Sequence, residues 1–204
     1  MIVKQWNFRG SIIFFGLTAL LSVAALGQQP NSRGEAQKSG SIKAPTEKQP
    51  TAVLEFEFID FAGKSRKFSE FRGKYVLIDF WATWCKPCLA DIPKLKELYE
   101  KYKDDGFEIL GMDAETLTGD DEEEVPDPEF AKEQDERARQ VVKMRGVTWT
   151  QANSASAVPV AKTILNVKAL PTKILVDKNG KEIARIGEKD DLMGIVEKLL
   201  KEKK

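Results

Sequence analysis

The chain has 204 residues, 32 basic and 32 acidic side chains, no His and only 2 Cys. Domains usually run about 100–200 residues, so this length holds one ordinary domain plus accessory segments. Without His, no Ser-His-Asp triad, Cys-His protease or His-ligated zinc site is possible, and zero net charge argues against a general nucleic-acid binder. At 42% hydrophobic residues the chain can build a core, and two cysteines allow one disulfide at most.

The N-terminus reads as an export signal. Lys4 and Arg9 precede the uncharged stretch Ser11–Gly27, whose apolar run Ile12–Leu26 is 15 residues long. A spanning helix wants about 20, so the run suits a signal-peptide core, and Ala25-Leu26-Gly27 puts small residues at a cleavage site. A retained N-terminal anchor is the alternative; either way the domain is exported. Removing residues 1–27 takes away two cations and leaves 30 basic and 32 acidic groups, a net of −2. Residues 28–50 are rich in Gln, Ser, Pro, Gly and Lys and lack aromatics, so they read as a flexible linker. The folded domain is expected over residues 51–204.

Within it, strands and helices alternate. Val53–Ile59 alternates apolar and acidic residues and predicts a half-buried strand, and Gly63 then turns the chain into a short basic piece. Tyr75–Ala82 is almost continuously apolar, the pattern of a central strand buried on both faces. Lys86–Lys103 predicts a helix, with Leu89, Ile92, Leu95, Leu98 and Tyr102 at helical spacing and a kink at Pro93. Phe107–Met112 predicts a second buried strand. Phe130–Val142 and the shorter Val158–Asn166 read as helices. Thr172–Val176, the Lys178-Asn179-Gly180 turn and Glu182–Ile186 form a hairpin. A last helix spans about Asp190–Lys203. The order implies an α/β fold with a mixed sheet.

One motif carries chemistry: Trp84-Cys85-Lys86-Pro87-Cys88, where a buried strand gives way to a helix. A thiol attacks a disulfide as thiolate, and a helix N-terminus stabilises that anion. Three residues return the second sulfur to the first within about one helical turn. Cys85 is therefore expected as the exposed nucleophile and Cys88, deeper in the helix, as the resolving thiol. Lys86 adds positive charge beside the nucleophile, and Pro87 stiffens the first turn. A structural disulfide closing so small a loop removes little unfolded-state entropy, and zinc would need two further ligands.

The run VLIDFWATWCKPC resembles the thioredoxin superfamily, and specifically its exported TlpA/ResA-like branch. FSEFRGKYVLIDFWATWCKPC resembles that branch's passage from an N-terminal hairpin into the active site, GFEILGMDAE its next strand, and ALPTKILVDKNGKEIARIGE its cis-proline loop and terminal hairpin. The resemblance implies a thioredoxin fold with an N-terminal hairpin, an inserted acidic loop plus helix, and thiol–disulfide oxidoreductase activity. Pro171 matches the cis-proline facing the disulfide, which leaves the Leu170 backbone to pair with an extended substrate. The alternative is that Pro171 merely stops the preceding helix.

Asp79, six residues before Cys85 in an apolar strand, is expected to have a raised pKa and to relay the Cys88 proton; otherwise it is a satisfied strand polar group. Thioredoxins carry Asp at the matching position, whereas many of the exported branch do not. Asp91 matches the acidic residue of the branch's CxxCxxE-x-P motif, with a solvated first-turn acid as the alternative. Trp84 is expected to shield the sulfurs and contact substrate, with Trp81 in the core. The acidic run Gly119–Glu129 reads as a solvated insertion without EF-hand spacing. Ala152–Pro159 has no functional reading.

The resemblance further implies that no organic cofactor or metal is needed. Electrons would come from a membrane thiol reductase of the DsbD/CcdA type, and apocytochrome c stands among the exported substrates. A disulfide-forming oxidase or isomerase, and a copper-binding or adaptor module using the CxxC, are the alternatives. A peroxidase is disfavoured because Ala82 stands where peroxiredoxin-like proteins place Thr.

Overall fold

A computed structural model of the chain describes residues 52–117 and 128–201. The expected leader, the linker and most of the acidic insertion lie outside the described residues. No helix among the described residues is long and apolar enough to cross a membrane.

The chain opens with a small antiparallel pair, β1 (Glu57–Ile59) and β2 (Ser65–Lys67). A central strand β3 (Tyr75–Trp81) follows, then helix α1 (Lys86–Tyr102) and strand β4 (Phe107–Asp113). Next come α2 (Pro128–Met144), β5 (Thr150–Ala152) and α3 (Ser154–Pro159), which runs into a π-helical turn over Val160–Ile164. Strands β6 (Thr172–Val176) and β7 (Glu182–Ile186) and helix α4 (Leu192–Lys201) complete the domain. The main sheet has the order β5-β4-β3-β6-β7, with β3, β4 and β5 parallel and β6 and β7 antiparallel to their neighbours.

Alternation along the strands divides the core into two layers, because successive side chains point to opposite faces. Val76, Ile78 and Phe80 of β3 pack with Leu110, Met112, Ile174 and Val176 against Phe56, Phe58, Phe68 and Phe71 of the N-terminal segment and Val160 and Ala161 behind α3. Tyr75 and Leu77 pack with Phe107, Ile109 and Leu175 against Leu95 and Leu98 of α1 and Val196 and Leu200 of α4. Every residue of β3 is buried, as its unbroken apolar run requires.

Several expectations need correction. Only Glu57–Ile59 of the expected first strand pairs as a strand; Val53 makes an isolated bridge to Lys181. The short strand β5 went unrecognised, since three residues show no period. The expected helix Val158–Asn166 begins four residues earlier, because Asn153 Oδ1 caps it by accepting from the Ser156 N–H at 3.1 Å. That cap explains part of the Ala152–Pro159 stretch. Helix α2 starts at Pro128, inside the acidic run's end and two residues before the expected Phe130.

Candidate active site

Strand β3 ends beneath the N-terminus of α1, so the Cys85–Cys88 pair sits at the C-terminal edge of the central strand. The two residues form a disulfide with an S–S distance of 1.94 Å and a Cα–Cα distance of 5.3 Å. Cys85 occupies the N-cap position of α1 in an extended conformation, and its Sγ accepts a hydrogen bond from the Cys88 N–H at 3.3 Å. An N-cap side chain is where a helix offers its unpaired donors, so a thiolate formed there is stabilised by that N–H and the helix dipole. Pro87 lies in the first turn, where a missing N–H costs nothing. Lys86 is exposed beside it.

Cys85 is not exposed as expected. It is 4% accessible and Cys88 2%, because Trp81, Ala82 and Ala138 pack around the pair with Phe61, Leu89 and Leu170 on the flanks. Helix α2 and the loop before β6 supply that cover, and neither is adjacent to the motif in sequence. Trp81 is the indole that joins the cysteine cluster. Trp84, by contrast, is 55% exposed, with its Nε1–H donating to the Glu115 carbonyl at 3.0 Å.

The Leu170–Pro171 peptide is cis, and Leu170 packs against the cysteine cluster. Thr172, the first residue of β6, donates its Oγ1–H to the Ala169 carbonyl at 2.7 Å and braces the loop.

Two acids at the end of β4 hold the active-site loop, and sequence reasoning missed both. The Glu115 side chain accepts the Thr83 N–H, and the Glu115 N–H donates to Asp113 Oδ1 at 3.0 Å. Cys85 N–H closes the loop onto the Ala82 carbonyl at 3.1 Å. Asp113 is fully buried and its Oδ2 has no hydrogen-bond partner. Burial pushes its pKa up to about 8, with the hydrogen bond from the Glu115 backbone opposing and the neighbouring Glu115 and Asp135 carboxylates adding to the rise. The only signal in the sequence was an apolar strand ending in Asp-Ala-Glu.

A polar row crosses the sheet under α1. Lys173, Asp79, Gly111 and Gln151 are register partners on β6, β3, β4 and β5. The Gln151 side chain lies over Gly111, where a Cβ would collide with Oε1, and that oxygen accepts the Trp81 indole N–H at 2.9 Å. Lys173 Nζ lies 3.5 Å from Asp79 Oδ1 and donates to Asp91 Oδ2 at 2.8 Å. Asp79 Oδ1 is buried with this ion-pair approach but no hydrogen bond. Burial raises the Asp79 pKa, Lys173 opposes the rise and Asp91 adds to it. Asp91 turns toward Lys173 and, at 3.5 Å, toward Lys94. Lys173 and Gln151 were not singled out from the sequence, because Lys173 reads as the polar start of a strand and Gln151 lies in a stretch with no readable period. Among the described residues no group of three or more Cys, Asp or Glu side chains is arranged to hold a metal ion.

Residues 48–196 match the AhpC/TSA family. The chain belongs to that family, in its ResA-like branch of the thioredoxin superfamily. It is 36% identical over 131 residues to the thiol-disulfide oxidoreductase ResA of Bacillus thuringiensis subsp. konkukian, covering 64% of this chain and 65% of that protein. It is 35% identical over 147 residues to the ResA of a Bacillus cereus strain, covering 71% and 74% respectively. The first of these alignments spans just under two thirds of the relative's length. Among solved structures, the thioredoxin domain of a thiol-disulfide oxidoreductase from Bacteroides vulgatus superposes with a TM-score of 0.58 and 28% identity, covering 76% of this chain and 99% of that one. A thiol:disulfide interchange protein from Bacteroides sp. gives the same score and identity, covering 74% and 89%. The architecture is the thioredoxin fold.

Proposed function

We propose that this ResA-like protein is an extracytoplasmic thiol–disulfide oxidoreductase that reduces disulfides in exported partner proteins. The observation that carries the reading is the Cys85 sulfur at the N-cap of α1, accepting the Cys88 N–H, with Leu170 and the cis-Pro171 beside it. The Cys85 thiolate attacks one sulfur of the partner disulfide, forming the mixed disulfide and releasing a partner thiolate that takes up a proton. Cys88, giving its proton to Asp79, then attacks Cys85 Sγ and releases the second partner thiolate. Two electrons and two protons pass to the partner, and the Cys85–Cys88 disulfide remains. Trp84 and the Leu170 backbone provide the contact surface for an extended substrate, and Lys86 adds positive charge at the nucleophile. The cycle uses no organic cofactor or metal. A membrane thiol reductase of the DsbD/CcdA type restores the dithiol, and apocytochrome c is the substrate we propose to test first. The leader-like residues 1–27 support export, with release into the periplasm or an equivalent compartment after cleavage.

The reducing direction is supported by what surrounds the thiolate. Strong oxidants, near about −120 mV, stabilise the reduced form with extra donors or charge over the nucleophile, whereas thioredoxin lies near about −270 mV. This chain has no His, its intervening pair is Lys86-Pro87, and the ammonium of Lys86 is exposed and screened. A potential near thioredoxin's is expected on equilibration with a glutathione buffer, read by alkylation. A value above about −180 mV would transfer the protein to the oxidase or isomerase class. Ala82, without a hydroxyl, stands against a peroxidase. Absence of turnover with a model disulfide would instead favour a copper-binding or adaptor module. In cells, Cys88→Ser should accumulate the mixed disulfide with the physiological partner, which intact mass then identifies.

A further inference from the structure

Three charges share a small volume beneath α1. Asp79 and Lys173 face one another in register from β3 and β6, and Asp91 reaches the same ammonium from the second turn of α1. Lys173 is 3% accessible, so its charge lies inside the protein. Burial by itself would lower the lysine's pKa; the two carboxylates more than offset this and hold it raised, so the side chain stays an ammonium. With both acids ionised the trio would carry a net negative charge in a low-dielectric setting, which one proton relieves. Asp79 takes that proton. It is the more buried of the two and its Oδ1 has no hydrogen bond, whereas Asp91 keeps the 2.8 Å bond to Lys173 and has Lys94 at 3.5 Å as a second cation.

We propose that Lys173 is a positioning residue that divides one positive charge between Asp79 and Asp91, and so sets the pH at which Asp79 can accept the Cys88 proton. The charge sharing stands on geometry; only its consequence for Cys88 rests on the oxidoreductase reading. When Asp79 is neutral, the ammonium serves Asp91. When Asp79 ionises, a displacement of less than an ångström brings Nζ from 3.5 Å into full hydrogen-bond distance of Oδ1.

The route to water runs past the same group. A cavity of about 150 Å³ opens beside Lys173, lined by Asp91, Lys94, Glu188, Asp190 and Asp191. The last two are engaged as turn acceptors, Asp190 for the Gly187 N–H and Asp191 for the Gly194 N–H. On the other side, β4 contributes only Gly111 and β5 the uncharged Gln151. The charged groups facing the pair are therefore Asp91 and Lys94 from α1 and the acids between β7 and α4.

The arrangement predicts opposite effects of two neighbouring substitutions. Lys173→Met removes the cation and should move the ionisation of Asp79 to higher pH. Asp91→Asn removes the competing anion and leaves the ammonium to Asp79, moving it to lower pH. Each displacement should be about one pH unit or more, the size expected for a close charge. Lys173→Arg should restore the wild-type position. The full-length protein is titrated by infrared spectroscopy, following the carboxylic C=O band assigned by its loss in Asp79→Asn. In parallel, the acid limb of the pH profile is measured for resolution of a Cys85 mixed disulfide.

Opposite shifts in both readouts establish the proposal. Opposite infrared shifts with an unmoved rate profile keep the charge sharing and overturn Asp79 as the proton acceptor. Shifts of the same sign, or none, overturn the proposal. If Lys173→Met does not fold, Asp91→Asn and Lys173→Arg decide, and failure of the Asn variant to shift downward refutes it.

Discussion

Asp113→Asn removes one ionisable group from the end of β4 while leaving an oxygen that can still accept the Glu115 N–H. The native carboxyl titrates at about 8, raised from 3.8 by burial. The folded protein therefore holds a proton that the unfolded chain has lost over most of this range. The contribution of Asp113 to stability must fall as pH rises from about 4 to about 8, since at this group the native state binds more protons there. The rise is about four pH units at about 1.36 kcal/mol each, so the full penalty approaches about 6 kcal/mol above pH 8, of which about 4 kcal/mol accrues between pH 5 and 9.

Asn cannot ionise, and the variant escapes that loss. Guanidinium denaturation of both proteins at pH 5, 7 and 9 should show a stability difference that grows with pH in favour of the variant. Asp79 also titrates upward, but it is common to both proteins and cancels in the difference. A difference that stays constant from pH 5 to 9 would refute the raised ionisation of Asp113.

Cys85→Ser should abolish mixed-disulfide formation, whereas in the reduced wild type Cys85 should alkylate well before Cys88 at neutral pH; equal rates would remove the N-cap assignment. Gly111→Ala should displace Gln151 and break its bond to the Trp81 indole, costing about 1–3 kcal/mol with a blue- or red-shifted tryptophan emission, so an unchanged spectrum and Tm would count against the close approach. Leu95→Ala, on the face of α1 that meets the sheet, should cost about 2–5 kcal/mol in denaturant unfolding, and a loss under about 1 kcal/mol would mean that this helix face is not packed as described.

What the sequence by itself determined was everything carried by neighbours along the chain. The buried run of β3, the CxxC at a strand-to-helix junction, the heptad-like apolar face of α1 and the Lys178-Asn179-Gly180 turn are local patterns, and each appears where expected. The order of these elements was enough for a mixed α/β sheet. Only the tertiary structure decided which polar groups meet. Lys173 and Asp91 are 82 residues apart, and Thr83 and Glu115 32 apart. Nothing in their immediate surroundings marks either pair, because strand register and the packing of α1 onto the sheet bring them together. The same holds for the burial of Cys85: its own flanks place it at a helix start, but Ala138 of α2 and Leu170 before β6 close over it. Strand β5 is the intermediate case, since three residues carry no readable period and become a strand only by pairing with the edge of β4.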